Sequence, residues 1–369
     1  MRYQHHGNEL NNEEDIIGFE ALFESMQKCK KGVMWKGSAA HYVLNGLEET
    51  LKLEKQLKTG TYKARQTTKF RVTYPKPRDI VSICFRDRVY QRSLNDNAIY
   101  PAMTKSFIQH NCACQKDKGT DYARAVLDEF LHRHYRKYGR AGGVLQVDVH
   151  GYYPNMKHQV AKDKFKKHLE PDIYKRAEAV LEDQYEGDVG YNPGSQMIQI
   201  AGISVLDELD HFIKEQLGIK RYLRYMDDFL LMHEDLEYLE YCKDKVIEKL
   251  AEYGFEPNPK KTKVIPITEE ILFLGFYYRL TETGKIIMRL NPANVKQERK
   301  KLYRLVAKAK KGESSKAKVD ECFNGWKDHA AKGTSYQLLR RMEALFKGLR
   351  VWAAPIIFSN IAIYRAQTA

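Results

Sequence analysis

The spacing of apolar residues predicts that the chain begins with helices and continues into a strand. Leucines recur close to helical spacing before Lys58, and Gly60 follows as a residue that ends helices. These leucines are Leu44, Leu47, Leu51 and Leu53. Residues 70–74 then place apolar side chains next to basic and polar ones, which indicates a basic strand. The first part of the chain is therefore expected to be mostly helical.

The middle of the chain predicts strands that alternate with helices. An apolar strand over 144–149 precedes Asn155, which is a candidate cap for a helix through Leu169. Gly194 opens a second helix, and a hairpin over 221–233 leads into an amphipathic helix over 236–253. The second helix has one apolar face, formed by Ala201, Val205, Leu209 and Phe212. This order is close to a ferredoxin-like split β-α-β arrangement.

The last fifth of the chain is predicted to be helical and is strongly basic. The helical pattern beyond Pro292 has breaks near Gly312 and Gly333, which predicts three helices. Residues 291–369 contain 17 basic and 6 acidic side chains, against a formal charge of +14 for the whole chain. Lys308, Lys310, Lys311, Lys316 and Lys318 lie in this region. Such a run is either a solvated helix face or a surface that binds phosphates.

Two adjacent carboxylates stand at the centre of the predicted hairpin, in the sequence Tyr225-Met226-Asp227-Asp228. A two-residue turn usually contains Asn-Gly or Asp-Gly, because glycine tolerates positive φ. Here an Asp227-Asp228 turn is predicted without glycine, and its two charges repel one another. A divalent cation at the turn would neutralise them. A solvated acidic turn on a surface hairpin would show the same residues.

A third carboxylate ends the predicted strand over 144–149. Asp148 follows Val144-Leu145-Gln146-Val147, and an acid at the end of a buried strand is costly unless it is paired or bound to metal. Taken alone, Asp148 could equally be a helix cap or a surface acid. Together with Asp227 and Asp228, it could hold two Mg²⁺ ions about 3.5–4 Å apart.

With these three acids and a series of further motifs, the chain resembles reverse transcriptases of the bacterial type. This family includes group II intron, retron and diversity-generating retroelement enzymes. The similarity runs from about residue 35 to about residue 345, and its motifs occur in the family's order. They are Tyr74-Pro75-Lys76-Pro77-Arg78 with 85–91, Cys114 to Thr120, Asp148 with Tyr152-Tyr153, Tyr225 to Asp228, Asn258 to Thr262, and Phe273 to Phe276.

The resemblance implies an α/β (α+β) right-hand polymerase, with helical/β fingers, a ferredoxin-like palm and a three-helix thumb. The implied domains are an N-terminal extension and fingers over 1–143, a palm over 144–290 with a fingers insertion around 159–190, and a helical thumb and C-terminal tail over 291–369. The implied activity is that of an RNA-directed DNA polymerase (a nucleotidyltransferase), which extends a primer on RNA with dNTPs.

The resemblance also assigns roles to individual residues. Asp148, Asp227 and Asp228 are the implied catalytic residues, and with Val149 they are the implied ligands of two Mg²⁺ ions, for which Mn²⁺ can substitute. The implied substrate-binding residues are Lys76, Arg78, Tyr153, Gly194, Gln199 and Lys261. Among these, Tyr153 lies where the family has an aromatic that blocks a 2′-hydroxyl. The alternative is that Tyr153 is a core residue that packs under the strand. Lys308, Lys310 and Lys311 are the implied nucleic-acid contacts.

The segment around Gly194 departs from most relatives, which read Gln-Gly-x-x-x-Ser-Pro. Pro193 replaces the glutamine, and Ile198-Gln199 replaces Ser-Pro. Diversity-generating retroelement enzymes also end this motif in glutamine, so the expected subfamily is theirs and the enzyme is expected to be error-prone. Alternatives are a phage-defence or other single-domain bacterial enzyme with protein-primed or untemplated synthesis, and, from a different class, a catalytically silent RNA-binding protein.

Composition agrees with a nucleic-acid partner and a cytoplasmic location. The six cysteines show no paired Cys-x-x-Cys spacing, so reduced thiols are expected. No apolar run approaches the roughly 20 residues that span a bilayer, and no membrane partner is expected. The expected partners are an RNA template, a DNA or RNA primer and dNTPs. A small basic accessory protein or a structured non-coding RNA would be a further partner.

Overall fold

The structure of the protein, a computed structural model, describes residues 13–73, 77–184, 187–191 and 194–350. The chain divides into two compact units, of which the first ends at Pro266 and the second begins at Ile267. The predicted boundary between palm and thumb at residues 290 and 291 lies inside the second unit. The three-domain division stays a prediction.

Residues 14–58 are mostly helical, which confirms the expectation for the described part of the segment before Lys58. Its helices are α1 (Glu14–Ile17), α2 (Phe19–Cys29), α3 (Gly37–Leu44) and α4 (Gly46–Lys58). Only one of the four leucines that predicted it faces the core: Leu53 is fully buried, whereas Leu44, Leu47 and Leu51 are exposed. The helical spacing was therefore a correct signal for the element but not for its buried face.

A two-stranded hairpin and a second group of helices follow. The antiparallel strands are β1 (Thr68–Val72) and β2 (Arg78–Ser82). The helices are α5 (Phe85–Leu94), a π-helical segment (Asn95–Ile99), α6 (Tyr100–Met103) and α7 (Thr120–Tyr138). The strand predicted over 70–74 overlaps β1, and its last residue lies outside the described residues.

A four-stranded antiparallel sheet forms the centre of the first unit. Its strands are β3 (Gly143–Asp148), β4 (Arg221–Tyr225), β5 (Asp228–His233) and β6 (Lys263–Pro266), in the spatial order β4-β5-β3-β6. The intervening helices are α8 (Tyr152–Asn155), α9 (His158–His168), α10 (Pro171–Gln184), α11 (Gln196–Val205), α12 (Asp207–His211), a second π-helical segment (Phe212–Gln216) and α13 (Leu236–Glu252). This order and pairing confirm the predicted split β-α-β arrangement.

Two predicted helix starts were wrong. Asn155 ends the short helix α8, and its amide donates to the His150 carbonyl at 3.1 Å instead of capping α9. The chain is extended at Met156, so α9 begins only at His158. Gly194 likewise precedes the cap of α11, which is Ser195: its hydroxyl accepts a hydrogen bond from the Ile198 amide at 3.3 Å.

The second unit contains a small sheet and three helices. The antiparallel strands, which the sequence patterns did not predict, are β7 (Ile271–Phe273), β8 (Phe276–Leu280) and β9 (Ile286–Leu290). The helices are α14 (Pro292–Lys310), α15 (Lys316–Ala331) and α16 (Tyr336–Leu349), which confirms the predicted breaks near Gly312 and Gly333. Their shared core is formed by Leu302, Val306, Val319, Phe323, Met342 and Phe346.

The chain thus has the mixed helix-and-sheet content that was predicted. In the part of the chain that the structure describes, no helix combines the length and the apolar character needed to cross a membrane.

Candidate active site

The predicted hairpin over 221–233 is present, but its turn lies one residue earlier than predicted. Tyr225 pairs with Asp228, so the two turn residues are Met226 and Asp227, and Asp228 is the first residue of β5. Met226 takes a positive φ of 58°, an uncommon conformation for a residue other than glycine. The tip therefore contains a strained residue that the surrounding structure must hold.

The three predicted carboxylates meet at this end of the sheet. Asp148, the last residue of β3, lies directly opposite Asp228 in the β3–β5 pairing. Directly opposed residues of an antiparallel pair have Cβ atoms about 4.5–5.5 Å apart. The Val149 amide donates to the Asp227 carbonyl at 3.3 Å and ties the end of β3 to the turn. The topology thus brings Asp148 together with two adjacent acids that lie about 80 residues later in the sequence.

The segment Asn258 to Thr262 supports Asp148 from the other side. The Asn258 amide donates to the Asp148 carbonyl at 2.6 Å, and the Asp148 amide donates to the Thr262 hydroxyl at 3.4 Å. Lys261 Nζ donates to Asp148 Oδ1 at 2.6 Å. Burial opposes the charge on Lys261, but contact with Asp148 outweighs it and raises the lysine pKa. The predicted substrate-binding Lys261 is therefore the charged partner of Asp148, one of the predicted catalytic residues.

Burial and mutual repulsion disfavour the charged forms of the turn acids. Burial raises the pKa of Asp227, and the nearby charge of Asp148 adds to the effect. Burial, together with the charges of Asp227 and Asp148, raises the pKa of Asp228 to about 7. Like charges that share a site produce such shifts when no cation compensates them. The site has a deficit of positive charge.

The donor set fits a hard divalent cation. Carboxylate oxygens are the ligands that Mg²⁺ takes from proteins, and the aliphatic side chain of Val149 leaves its carbonyl as the only ligand that residue could offer. Among the described residues, no group of three or more His, Cys, Asp or Glu side chains is already arranged around a metal position. The fit accordingly rests on the chemistry of the donors and on their negative charge, which Lys261 compensates only in part.

Tyr153 lies beside the turn and packs against helix α11. Burial raises its pKa, and Tyr152, Cys114 and Asp227 are near enough to contribute. Its buried hydroxyl has no hydrogen-bond partner among the described residues. A Cβ atom at Gly202 would lie 2.6 Å from that hydroxyl. Gly202 therefore leaves the space that the Tyr153 ring occupies, and sequence reasoning did not identify this glycine.

The remaining predicted substrate-binding residues lie on other elements. Arg78 is exposed at the start of β2, where it pairs with Val72, and Lys76 lies outside the described residues. Gly194 is exposed just before the cap of α11, and Gln199 is partly buried within that helix. Their roles in binding a nucleotide stay predictions.

The predicted nucleic-acid contacts lie in the second unit. Lys308 and Lys310 are in the last turn of α14, and Lys311 follows it. All three side chains are exposed, and none forms an ion pair with another described residue. Their charge is therefore available to an anionic ligand, which is compatible with the predicted role.

Sequence reasoning missed a buried ion pair behind the hairpin. Arg224 and Asp210 are both inaccessible to solvent, and their side chains meet at 2.6 Å. Arg224 also donates to the Ile203 carbonyl at 2.7 Å and to the Met226 carbonyl at 3.1 Å. Arg224 thus holds the strained turn residue from within the core and acts as a positioning residue. The sequence gives no signal for the pair, because α12 and β4 meet only in the folded chain.

Comparison with known proteins identifies the family. The model of the reverse transcriptase (RNA-dependent DNA polymerase) family matches residues 74–278, more than half of the chain. The chain belongs to this family, whose characteristic activity is RNA-dependent DNA polymerisation, a nucleotidyl transfer. This family match confirms the predicted right-hand polymerase fold as a fold class. Reverse transcriptase domains generally use divalent metal ions.

Two solved structures illustrate the structural similarity. The chain is 12% identical to telomerase from Candida albicans in complex with a TWJ fragment of telomeric RNA, with a TM-score of 0.46, covering 72% of this chain and 55% of that one. It is 16% identical to apo telomerase from Candida tropicalis truncated from its C-terminal domain, with a TM-score of 0.44, covering 67% and 60%. The chain thus spans less than two thirds of either. No curated protein matches the chain.

Proposed function

We propose that the protein extends a primer on an RNA template with dNTPs, using two Mg²⁺ ions, and that it belongs to a diversity-generating retroelement. The observation that carries the catalytic part is the pairing of Asp148 with Asp228 beside Asp227 in the turn. Asp148 and Asp227 would hold the ions, with Asp228 and the Val149 carbonyl assisting. Ions bound there would activate the primer 3′-hydroxyl and stabilise the leaving pyrophosphate.

The chain's own residues would supply orientation and selectivity. Lys261, with its raised pKa, stays protonated at neutral pH and can hold Asp148 or donate a proton from Nζ to pyrophosphate. The ring of Tyr153 would exclude a 2′-hydroxyl from the sugar of the incoming nucleotide. Arg78 suits bidentate contact with a triphosphate, and Lys76 would assist it.

The three carboxylates argue against the alternative of a catalytically silent RNA-binding protein with a polymerase fold. Clustering acids at a partly buried strand end costs free energy unless they bind something. A chain without catalytic function would not need to retain that cost. The six cysteines, all free, support the proposed cytoplasmic location.

The segment before Gly194 supports low fidelity. Pro193, which lies outside the described residues, has neither a backbone N–H nor a polar side chain, so it cannot make the hydrogen bonds that a glutamine makes there. A lost hydrogen bond of about 0.5–1.5 kcal/mol corresponds to roughly two- to tenfold in base selectivity. Selection of the correct base would then depend on pairing and shape alone.

We therefore expect Pro193→Gln to lower the error frequency by roughly two- to tenfold, because it would restore the hydrogen bond that proline cannot make. Sequencing cDNA made on a defined RNA, with wild-type and variant side by side, measures it. An error frequency as low as that of an accurate group II intron enzyme would contradict the retroelement assignment. Product whose sequence ignores the template would instead favour the untemplated alternative, in which the protein has a phage-defence role.

The exposed lysines at the end of α14 give a second expectation. Replacing Lys308, Lys310 and Lys311 by glutamine should weaken binding of a template-primer duplex and flatten its salt dependence, because each lost phosphate contact lowers the slope of log affinity against log salt by about 0.9. Filter binding over a range of salt concentrations measures this. An unchanged slope would show that these lysines form a solvated helix face and do not contact phosphates.

A further inference from the structure

A basic cleft lies in the first unit, at the end of β4 that is remote from the catalytic turn. Its volume is about 490 Å³, and it is bordered by the second half of α7, the segment 108–110, the second π-helical segment and the start of β4. Its walls include His110, Phe130 and Tyr222. From Arg221 to Tyr225, β4 covers about 13 Å at roughly 3.3 Å per residue. The cleft and the catalytic turn are therefore separate sites on one strand.

Five cations and no acidic residue line the cleft. They are Arg133, Lys137, Lys214, Lys220 and Arg221. Arg133 is paired with Glu129 on its own helix at 2.5 Å. None of the other four forms an ion pair with another described residue. Apart from the Arg133–Glu129 pair and a longer-range interaction of Arg221 with Glu234, the positive charge in the cleft is thus left without a carboxylate.

The local contacts hold these cations in place without neutralising them. Lys214 Nζ donates to the Lys220 carbonyl at 3.0 Å. The Lys137 ammonium and the Arg221 guanidinium lie 4.9 Å and 5.1 Å from the centre of the Tyr138 ring. Burial and the nearby charge of Lys214 lower the pKa of His110 in the cleft wall. Bound anions would relieve this accumulation of charge.

The distribution of the cations suits a chain of phosphates better than one small anion. Arg133 and Lys137 are one helical turn apart on α7, whereas Lys220 and Arg221 enter from the start of β4. The charge therefore extends along the cleft. Arginine and lysine are the residues that bind nucleic-acid phosphates.

We propose that this cleft binds backbone phosphates of the RNA at a distance from the base being copied. The inference rests on the proposed function in so far as RNA is the template. It adds a second contact region within the first unit, and this region contributes affinity without reading sequence. An RNA long enough to reach both the turn and the cleft would be held more firmly than a short one.

The test compares two triple variants that remove the same charge. Lys214→Gln/Lys220→Gln/Arg221→Gln alters the cleft. Lys243→Gln/Lys245→Gln/Lys249→Gln is the control, because those lysines lie on α13 and are already paired with Glu240, Glu248 and Glu252. The probe is a single-stranded RNA of about 40 nucleotides. Log affinity is measured against log salt for the full-length chain.

In the cleft variant the slope of log affinity against log salt should become shallower by about 2, at roughly 0.7 for each single-strand phosphate contact. The control should keep the wild-type slope. An unchanged slope in the cleft variant, or an equal loss in the control, would overturn the proposal. Lys220→Glu, at an exposed position, tests the same surface if the triple variant fails to fold. The same wild-type preparation is tested for primer extension, so a failure of the proposed polymerase activity is recorded separately from a failure of the cleft.

Discussion

Replacing Asp227 by asparagine should abolish nearly all dNTP incorporation while leaving nucleic-acid binding intact. The change removes one of the charges available to a divalent cation and keeps the size of the side chain. Loss of metal-ion stabilisation worth about 4 kcal/mol corresponds to roughly a thousandfold in rate. Single-turnover incorporation and template-primer binding, measured on the same preparation, report the two properties.

The matched control for this variant is Asp244→Asn, which removes an equal charge from the exposed face of α13. It should incorporate dNTPs at the wild-type rate. Near wild-type incorporation by the Asp227 variant would remove that carboxylate from the metal centre. A loss of binding that matches the loss of incorporation would show instead that the turn had misfolded.

Arg224→Met should destabilise the first unit by about 3–5 kcal/mol, because it leaves Asp210 buried and without its cation. A typical domain has only about 5–15 kcal/mol of stability, so this is a large fraction. The free energy of unfolding in urea, followed by circular dichroism, measures it. Arg221→Met, on the same strand but partly exposed, should cost far less.

A triple variant separates stability from positioning. Arg224→Met with Asp210→Leu and Tyr222→Phe removes the three polar side chains of the buried network, since the Tyr222 hydroxyl donates to Asp210 at 2.6 Å. Replacing all three side chains by apolar ones should restore much of the stability, less the cost of the Ile203 and Met226 carbonyls that lose their donor. Incorporation should stay low, with the loss in kcat rather than KM, because the Met226 carbonyl has lost its donor. Recovery of incorporation along with stability would give Arg224 a purely structural role.

The sequence was most informative where a pattern is local. The hairpin follows from two β-type runs around acidic residues, yet its turn was misplaced by one residue. Turn chemistry favours aspartate over methionine for unusual backbone angles, but Met226 takes the positive φ. The Met226 carbonyl accepts a hydrogen bond from Arg224, two residues earlier, and the Arg224 guanidinium is itself held in the core by Asp210 on α12. Tertiary contacts have overridden the local preference.

The parts that sequence reasoning missed depend on elements that meet only after folding. Asp210 and Arg224 belong to a helix and a strand whose contact no spacing rule predicts. The requirement for glycine at position 202 arises only because the Tyr153 hydroxyl lies against it in the folded chain. The buried face of α4 was likewise ambiguous, since Leu51 and Leu53 both fit a helical repeat and only Leu53 is buried. By contrast, the three acids were predictable, because Asp148 ends an apolar strand, Asp228 begins another, and Asp227 precedes it in the turn.

The central claim is that the acids around the catalytic turn support RNA-templated DNA synthesis. Single-nucleotide incorporation with Mg²⁺, on four RNA templates that differ only in the templating base, tests it most directly. We expect each template to select its complementary dNTP, with mismatches frequent but in the minority. Incorporation that is independent of the templating base, or no incorporation with either Mg²⁺ or Mn²⁺, would contradict the claim.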